Sequence, residues 1–170
     1  MNVQMNDNEY GEYYKTYIEL VQTDSLLDEL NSSVSDLCIL LVDLSSKQSE
    51  YRYAPGKWSI KELVQHLIDT EKIFIYRALR FVRNDTQELF GYDHNEYVEQ
   101  SKVDKRSISD LLNELQLQRQ LTIQFYKHLD QDDLTKFGKA NGSKLSVRAI
   151  GYIQIGHVLH HTRIIQERYL

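Results

Sequence analysis

Apolar residues recur at helical steps in four long segments of this chain, with polar stretches between them. Residues 24–44 place Leu26, Leu27, Leu30, Val34, Leu37, Leu40, Leu41 and Leu44 at i, i+3, i+4 and i+7 steps, which predicts an amphipathic helix. Cys38 falls within it and reads as a small hydrophobe with no chemistry of its own. Residues 45–58, SSKQSEYRYAPGKW, read as a loop ending in Pro55-Gly56 and a short basic-aromatic stretch. Ser59 followed by Glu62 is a capping-box pattern. It opens a second helix over 59–83, carried by Ile60, Leu63, Val64, Leu67, Ile68, Phe74, Ile75, Ala78, Leu79 and Val82. Residues 84–106 have no sustained apolar period and predict a long connection with one helical turn around Asn95–Ser101. Ser107 and Asp110 start a third helix through Leu111, Leu112, Leu115, Leu121, Phe125 and Leu129. After a polar loop over 130–145, Ser146 caps the last segment, SVRAIGYIQIGHVLHHTRIIQERYL. It is apolar at nearly every helical phase and so predicts a buried helix.

Ahead of these, Tyr10, Tyr13, Tyr14 and Tyr17 lie at helical spacing within 10–20, predicting a short helix whose aromatic face packs into the core. Four long helices with one long crossover in the middle define an all-α four-helix bundle, a single domain over residues 1–170. One proline and seven glycines leave few breakers, in keeping with long helices. A net charge of −5 offers no basic face for nucleic acid. A single cysteine excludes an internal disulfide. The polar start MNVQMNDNEYGEYY is no signal peptide, and no apolar run approaches a membrane span, so a cytoplasmic globular protein is expected.

The last helix carries the candidate chemistry. His157 and His161 are four residues apart and stack on one face, where they can grip one metal ion if a third ligand joins them. His160 lies one turn from His157 and stays open as an alternative. His94 falls in the long connection and His128 at a helix end, both positions expected to be exposed. His66 differs, lying about two turns into the second helix among Leu63, Leu67 and Thr70. At ~1.5 Å per residue it sits ~10 Å from its helix start, level with about residue 163 of an antiparallel last helix or about residue 153 of a parallel one. Three neutral imidazoles suit Zn²⁺, and also Ni²⁺, Fe²⁺ or Cu²⁺, and leave a position open for water or substrate. Asp69, three residues after His66, is the candidate catalytic acid–base group. The plainer reading makes these histidines hydrogen-bonded core residues and Asp69 a surface acid. Arg77, Arg80 and Arg83 read as dipole-compensating surface residues, with anion binding at the bundle mouth as the alternative. Gly151 and Gly156, each costing ~1 kcal/mol inside a helix, predict close approach of a neighbouring segment.

APGKWSIKELVQHLIDTEKIFIYRALRFVRND and NGSKLSVRAIGYIQIGHVLHHTRIIQERYL closely resemble the DinB-like superfamily, which includes the YfiT-like metal-dependent hydrolases. The resemblance covers nearly the whole chain and is most specific around His66 and in GHxxHH at His157. It implies a four-helix bundle in up-down-down-up order, usually homodimeric, holding a divalent metal, commonly nickel or zinc. The implied ligands are His66, His157 and His161, with His160 in an outer role. Relatives often read GHELHH where this chain has GHVLHH, so Val158 replaces an acid and Asp69 becomes the nearest remaining acidic candidate. The function implied is a metal-dependent thiol S-transferase or hydrolase acting on a small molecule, in the first case a low-molecular-weight thiol. The alternative is a non-catalytic metal-binding bundle serving as a stress-response or interaction module.

Overall fold

All four long helices form, and serine side chains cap three of them. They are α1 (Leu26–Leu41), α2 (Ile60–Val82), α3 (Ile108–Lys127) and α4 (Val147–Arg168). The Ser59 side chain accepts from the Glu62 N–H while Glu62 reaches back to the Ser59 N–H, the reciprocal box expected from the sequence. Ser107 and Ser146 accept from the N–H groups of Asp110 and Ala149. The computed structural model describes residues 5–23 and 25–170. The first four residues of the polar start, and Asp24 at the head of the first expected helix, lie outside it.

Cross-helix bonds fix the directions. Lys61 reaches the Asp104 carbonyl just ahead of α3, Arg106 reaches Gln65, and Lys72 pairs with Glu114, so α2 and α3 run parallel. The Tyr169 hydroxyl bonds the Trp58 carbonyl and Gln154 bonds the Glu71 carbonyl, so α4 is antiparallel to α2. Leu26, at the start of α1, packs on Gly151 near the start of α4, which makes those two parallel. The result is an up-down-down-up bundle. Two parallel neighbours need a connection that travels back along α2, a distance of about 34 Å at 1.5 Å per residue. Residues 83–107 make that return and contain a helix at His94–Gln100, close to the turn expected there.

The core has two apolar halves. Leu37, Leu41, Leu63, Leu67, Leu111, Leu115 and Ile165 fill one; Leu30, Phe74, Phe81, Leu145, Ile150 and Ile153 fill the other. Buried polar groups on α2, α3 and α4, among them His66, Glu71, Arg119, Gln154 and His157, occupy the level where the halves meet. Cys38 is buried in the first half, and burial pushes its thiol up to about 11, consistent with an inert packing role.

Three stretches depart from expectation. The loop at 130–145 contains a short helix, Gln131–Leu134, and a β-hairpin of β1 (Phe137–Ala140) and β2 (Ser143–Ser146). Asn141 (φ 49°) and Gly142 (φ 76°) make the left-handed two-residue turn that this hairpin needs. Within the loop over 45–58, Ser45 and Gln48 cap one helical turn, Ser46–Ser49. The helix expected over 10–20 is a 3₁₀ turn, Glu12–Tyr14, followed by one α turn, Lys15–Ile18. Among the described residues no helix is long and apolar enough to cross a membrane.

Candidate metal centre

Antiparallel packing sets His66 of α2 against His157 and His161 of α4. The Nε2 atoms of His66 and His157 are 3.0 Å apart, and those of His161 and His157 are 3.1 Å apart. All three side chains are more than nine-tenths buried. One Nε2 either donates a single proton or accepts at a single lone pair, so His157 cannot serve both neighbours well by hydrogen bonding. Burial disfavours the alternative of protonating the rings. It pulls His66 down to about 4, helped by the charge of His94, and it pulls His157 and His161 well below their ordinary value, helped by the neighbouring histidines. What remains is three neutral imidazoles whose ring nitrogens lie within 4.8 Å of one another. Two nitrogens bound to one ion at about 2.0–2.1 Å, with angles of roughly 90–110°, lie about 2.8–3.4 Å apart, and both observed spacings fall in that range. The residues therefore fit a divalent cation. Among the described residues no further His, Cys, Asp or Glu joins the group.

The sequence model of the DinB superfamily matches residues 29–165. This chain belongs to the DinB superfamily. Among solved structures it is similar in fold to YfiT from Bacillus subtilis, with a TM-score of 0.74 and 19% identity over 85% of this chain and 83% of that one. That protein is described as "a probable metal-dependent hydrolase with an unusual four-helix bundle topology". A search of curated proteins returned no match.

Around its histidines this DinB-superfamily chain keeps a cavity of about 360 Å³. Its walls come from distant parts of the sequence: Tyr14 and Tyr17 from the N-terminal segment, Trp58 ahead of α2, Thr70 and Arg77 on α2, and Tyr92 and His94 from the crossover. Tyr17 packs edge-on against His157 at 5.4 Å and against His160 at 5.5 Å. Gly156 makes this possible. A Cβ there would lie 2.0 Å from the Tyr17 carbonyl oxygen, so only a glycine lets the tyrosine segment lie against α4 beside His157. On the far side of His66, the Thr70 hydroxyl sits 3.5 Å from Nδ1 and hydrogen-bonds the Tyr92 hydroxyl at 2.8 Å. The His161 Nδ1 is buried with no partner among the described residues.

His160 takes the outer place, half-buried beside Tyr17 and His161. His128 is exposed, as expected. His94 is exposed too, but its ring lies 5.7 Å from both His66 and Trp58, so it stands at the cavity mouth rather than in free solvent. Asp69 is not brought to the histidines. It accepts a hydrogen bond from Gln65 at 2.9 Å and lines a separate depression with Glu96, Tyr97 and Arg106, where burial raises its carboxyl. Val158 is core, packed among the residues of the first apolar half.

Two sequence readings change. The tyrosine stripe is cavity wall as much as core, because Tyr13, Tyr14 and Tyr17 all line the site. Arg77 is not a surface residue. It is 3% exposed, lies 5.1 Å over the Phe74 ring and lines the cavity, whereas Arg80 pairs with Asp85 outside. The signal was present: Arg77 is three residues after Phe74 and four before Phe81, squarely on the buried face of α2.

Proposed function

We propose that this chain is a divalent-metal-dependent enzyme acting on a small molecule in the histidine cavity, as a thiol S-transferase or a hydrolase. The observation that carries the reading is the convergence of three neutral imidazole nitrogens beside an open cavity, with no fourth protein ligand among the described residues. His66, His157 and His161 would hold the ion, zinc or nickel. When bound, it supplies Lewis acidity that lowers the pKa of a thiol or a water.

The chain's own groups do the rest. Thr70, backed by the Tyr92 hydroxyl, fixes the His66 ring through Nδ1. The aromatic walls keep the reacting groups from bulk water. A ring nitrogen of His94, at the mouth, takes the proton released from the nucleophile. In the transferase case the thiol sulfur forms the new bond to carbon, the electrophile's leaving group departs, and the thiol proton goes to His94. Asp69, the acid–base group expected from the sequence, has its carboxylate on another depression and is bypassed.

The second reading is a non-catalytic staple, in which the ion only ties α2 to α4. In its favour, all three ligands come from two helices that already pack together. Turnover separates the two. Zinc- or nickel-loaded protein should accelerate the reaction of a small thiol with an aromatic halide, or the hydrolysis of an activated ester, and His66→Ala should abolish it. His94→Gln should slow turnover about 10²-fold or more, and Asp69→Asn should leave it within about twofold. Activity that survives complete chelation would refute the metal-dependent enzyme.

A further inference from the structure

We propose that the cavity takes a substrate bearing a carboxylate, and that Arg77 is the residue that recognises it. This rests on the cavity being the substrate site, as above, and assigns the chemical class of what enters. Two arginines of the chain are almost wholly buried, Arg77 and Arg119. Arg119 holds a carboxylate, Glu71, with bonds of 2.7 and 3.0 Å. Arg77 has no ion pair among the described residues. Its guanidinium, with five N–H donors, bonds the Phe90 carbonyl at 3.3 Å and the Tyr14 hydroxyl, and stacks over Phe74. A buried cation without a counter-ion is costly for a fold, and this one lines the cavity that holds the histidines.

The rest of the lining strengthens the point. Among the described residues no aspartate or glutamate lines this cavity. Glu88, in the adjoining depression that Arg77 also lines, is paired with Lys139, and a divalent ion on the histidines would add to the positive charge. A single planar fork with one positive charge matches a carboxylate, which it can bind through two parallel hydrogen bonds. Tyr14, Tyr17, Trp58 and Tyr92 offer ring faces and edges to a flat or apolar body between the carboxylate and the reacting atom. Substrate is therefore held at two points, an acid group on Arg77 and a reacting group at the histidines.

Trp58 is the chain's one tryptophan and lines the cavity, so its fluorescence reports entry. Titrating 3-phenylpropionate and its neutral amide into the full chain, metal-free and zinc-loaded, should show a preference for the acid of about ten- to hundredfold in both forms. Equal binding of acid and amide by the unaltered chain would overturn the proposal. In metal-free protein Arg77→Met should erase the preference while leaving amide affinity unchanged, and a preference that survives it there would overturn the assignment to Arg77. If that variant does not fold, Arg77→Lys keeps the charge without the fork and should lose about three- to tenfold for the acid alone. No loss there would also overturn it. Phenyl phosphate binding tighter than phenylpropionate would overturn the carboxylate assignment. Acid preference in metal-free protein that has no turnover when loaded would leave the anion site standing and refute the enzyme, so the two claims fail separately.

Discussion

Two groups of buried polar side chains lie side by side in the bundle, and they are finished differently. In the first, Arg119 donates to both Glu71 oxygens, to the Leu30 carbonyl and to Ser33, and Gln154 bonds the Glu71 carbonyl. Three helices and the head of α1 close around it. In the second, His66, His157 and His161 crowd their nitrogens together without a proton arrangement that satisfies all of them, His161 Nδ1 has no partner among the described residues, and a cavity opens alongside. Burial is equal, and each group leaves one atom without a partner among the described residues, Gln154 Oε1 in the first and His161 Nδ1 in the second. The difference is that the first group's charges are matched, whereas the crowded Nε2 atoms of the second have chiefly one another. A polar group that the chain satisfies internally serves the scaffold, and one that it buries but leaves wanting marks the place where something else binds.

Breaking the closed group should have the largest effect. Arg119→Met strands the Glu71 carboxylate in the core and should cost about 3–5 kcal/mol in urea unfolding. His161→Ala, beside a cavity that admits water, should cost metal-free protein only about 1 kcal/mol. Comparable losses in the two variants would erase the distinction. Next in size is Gly156→Ala. Overpacking against the Tyr17 backbone should cost about 1–3 kcal/mol, more than the ~1 kcal/mol that alanine gains in a helix, so net destabilisation with weakened metal binding is expected. A more stable variant would show that the tyrosine segment does not lie against α4 beside the site.

A smaller effect concerns how that segment is tied down. Burial by itself would raise the Glu9 carboxyl, but hydrogen bonds from Arg148, Ser146 and the Asn6 backbone, with the Arg148 charge, outweigh it and hold the group below 4.5. Because the folded value is depressed, this contribution is complete above the unfolded value and is lost as pH falls through the folded one. Glu9→Gln should cost about 1.5 kcal/mol at pH 7 and flatten the fall in stability below about pH 4.5. An unchanged acid limb would place the tether elsewhere.

Much of this was legible in the residues. Leucine spacing and the serines at 59, 107 and 146 locate the long helices to within a few residues, because periodicity and capping are local. Counting rises allowed His66 to reach the last helix in either orientation, level with about residue 163 or 153, and the family resemblance supplied the ligand set. The β-hairpin was harder, for FGKA and SKLS are too short to alternate visibly, although Asn141-Gly142 marked its turn. Arg77 and the tyrosines show the deeper limit. Periodicity tells which face of a helix is buried, yet a wall of a cavity and a piece of core carry the same pattern. His94 was out of reach for a related reason: its place depends on how the crossover folds back over α2, which no local signal encodes.

The central claim is that the three imidazoles form one unfinished site. Elemental analysis by inductively coupled plasma mass spectrometry, on protein made without an affinity tag and equilibrated with zinc or nickel, tests it most directly. One ion per chain is expected, with none in folded His66→Ala or His161→Ala. No uptake by the unaltered chain, or a full equivalent retained by His66→Ala, would contradict it.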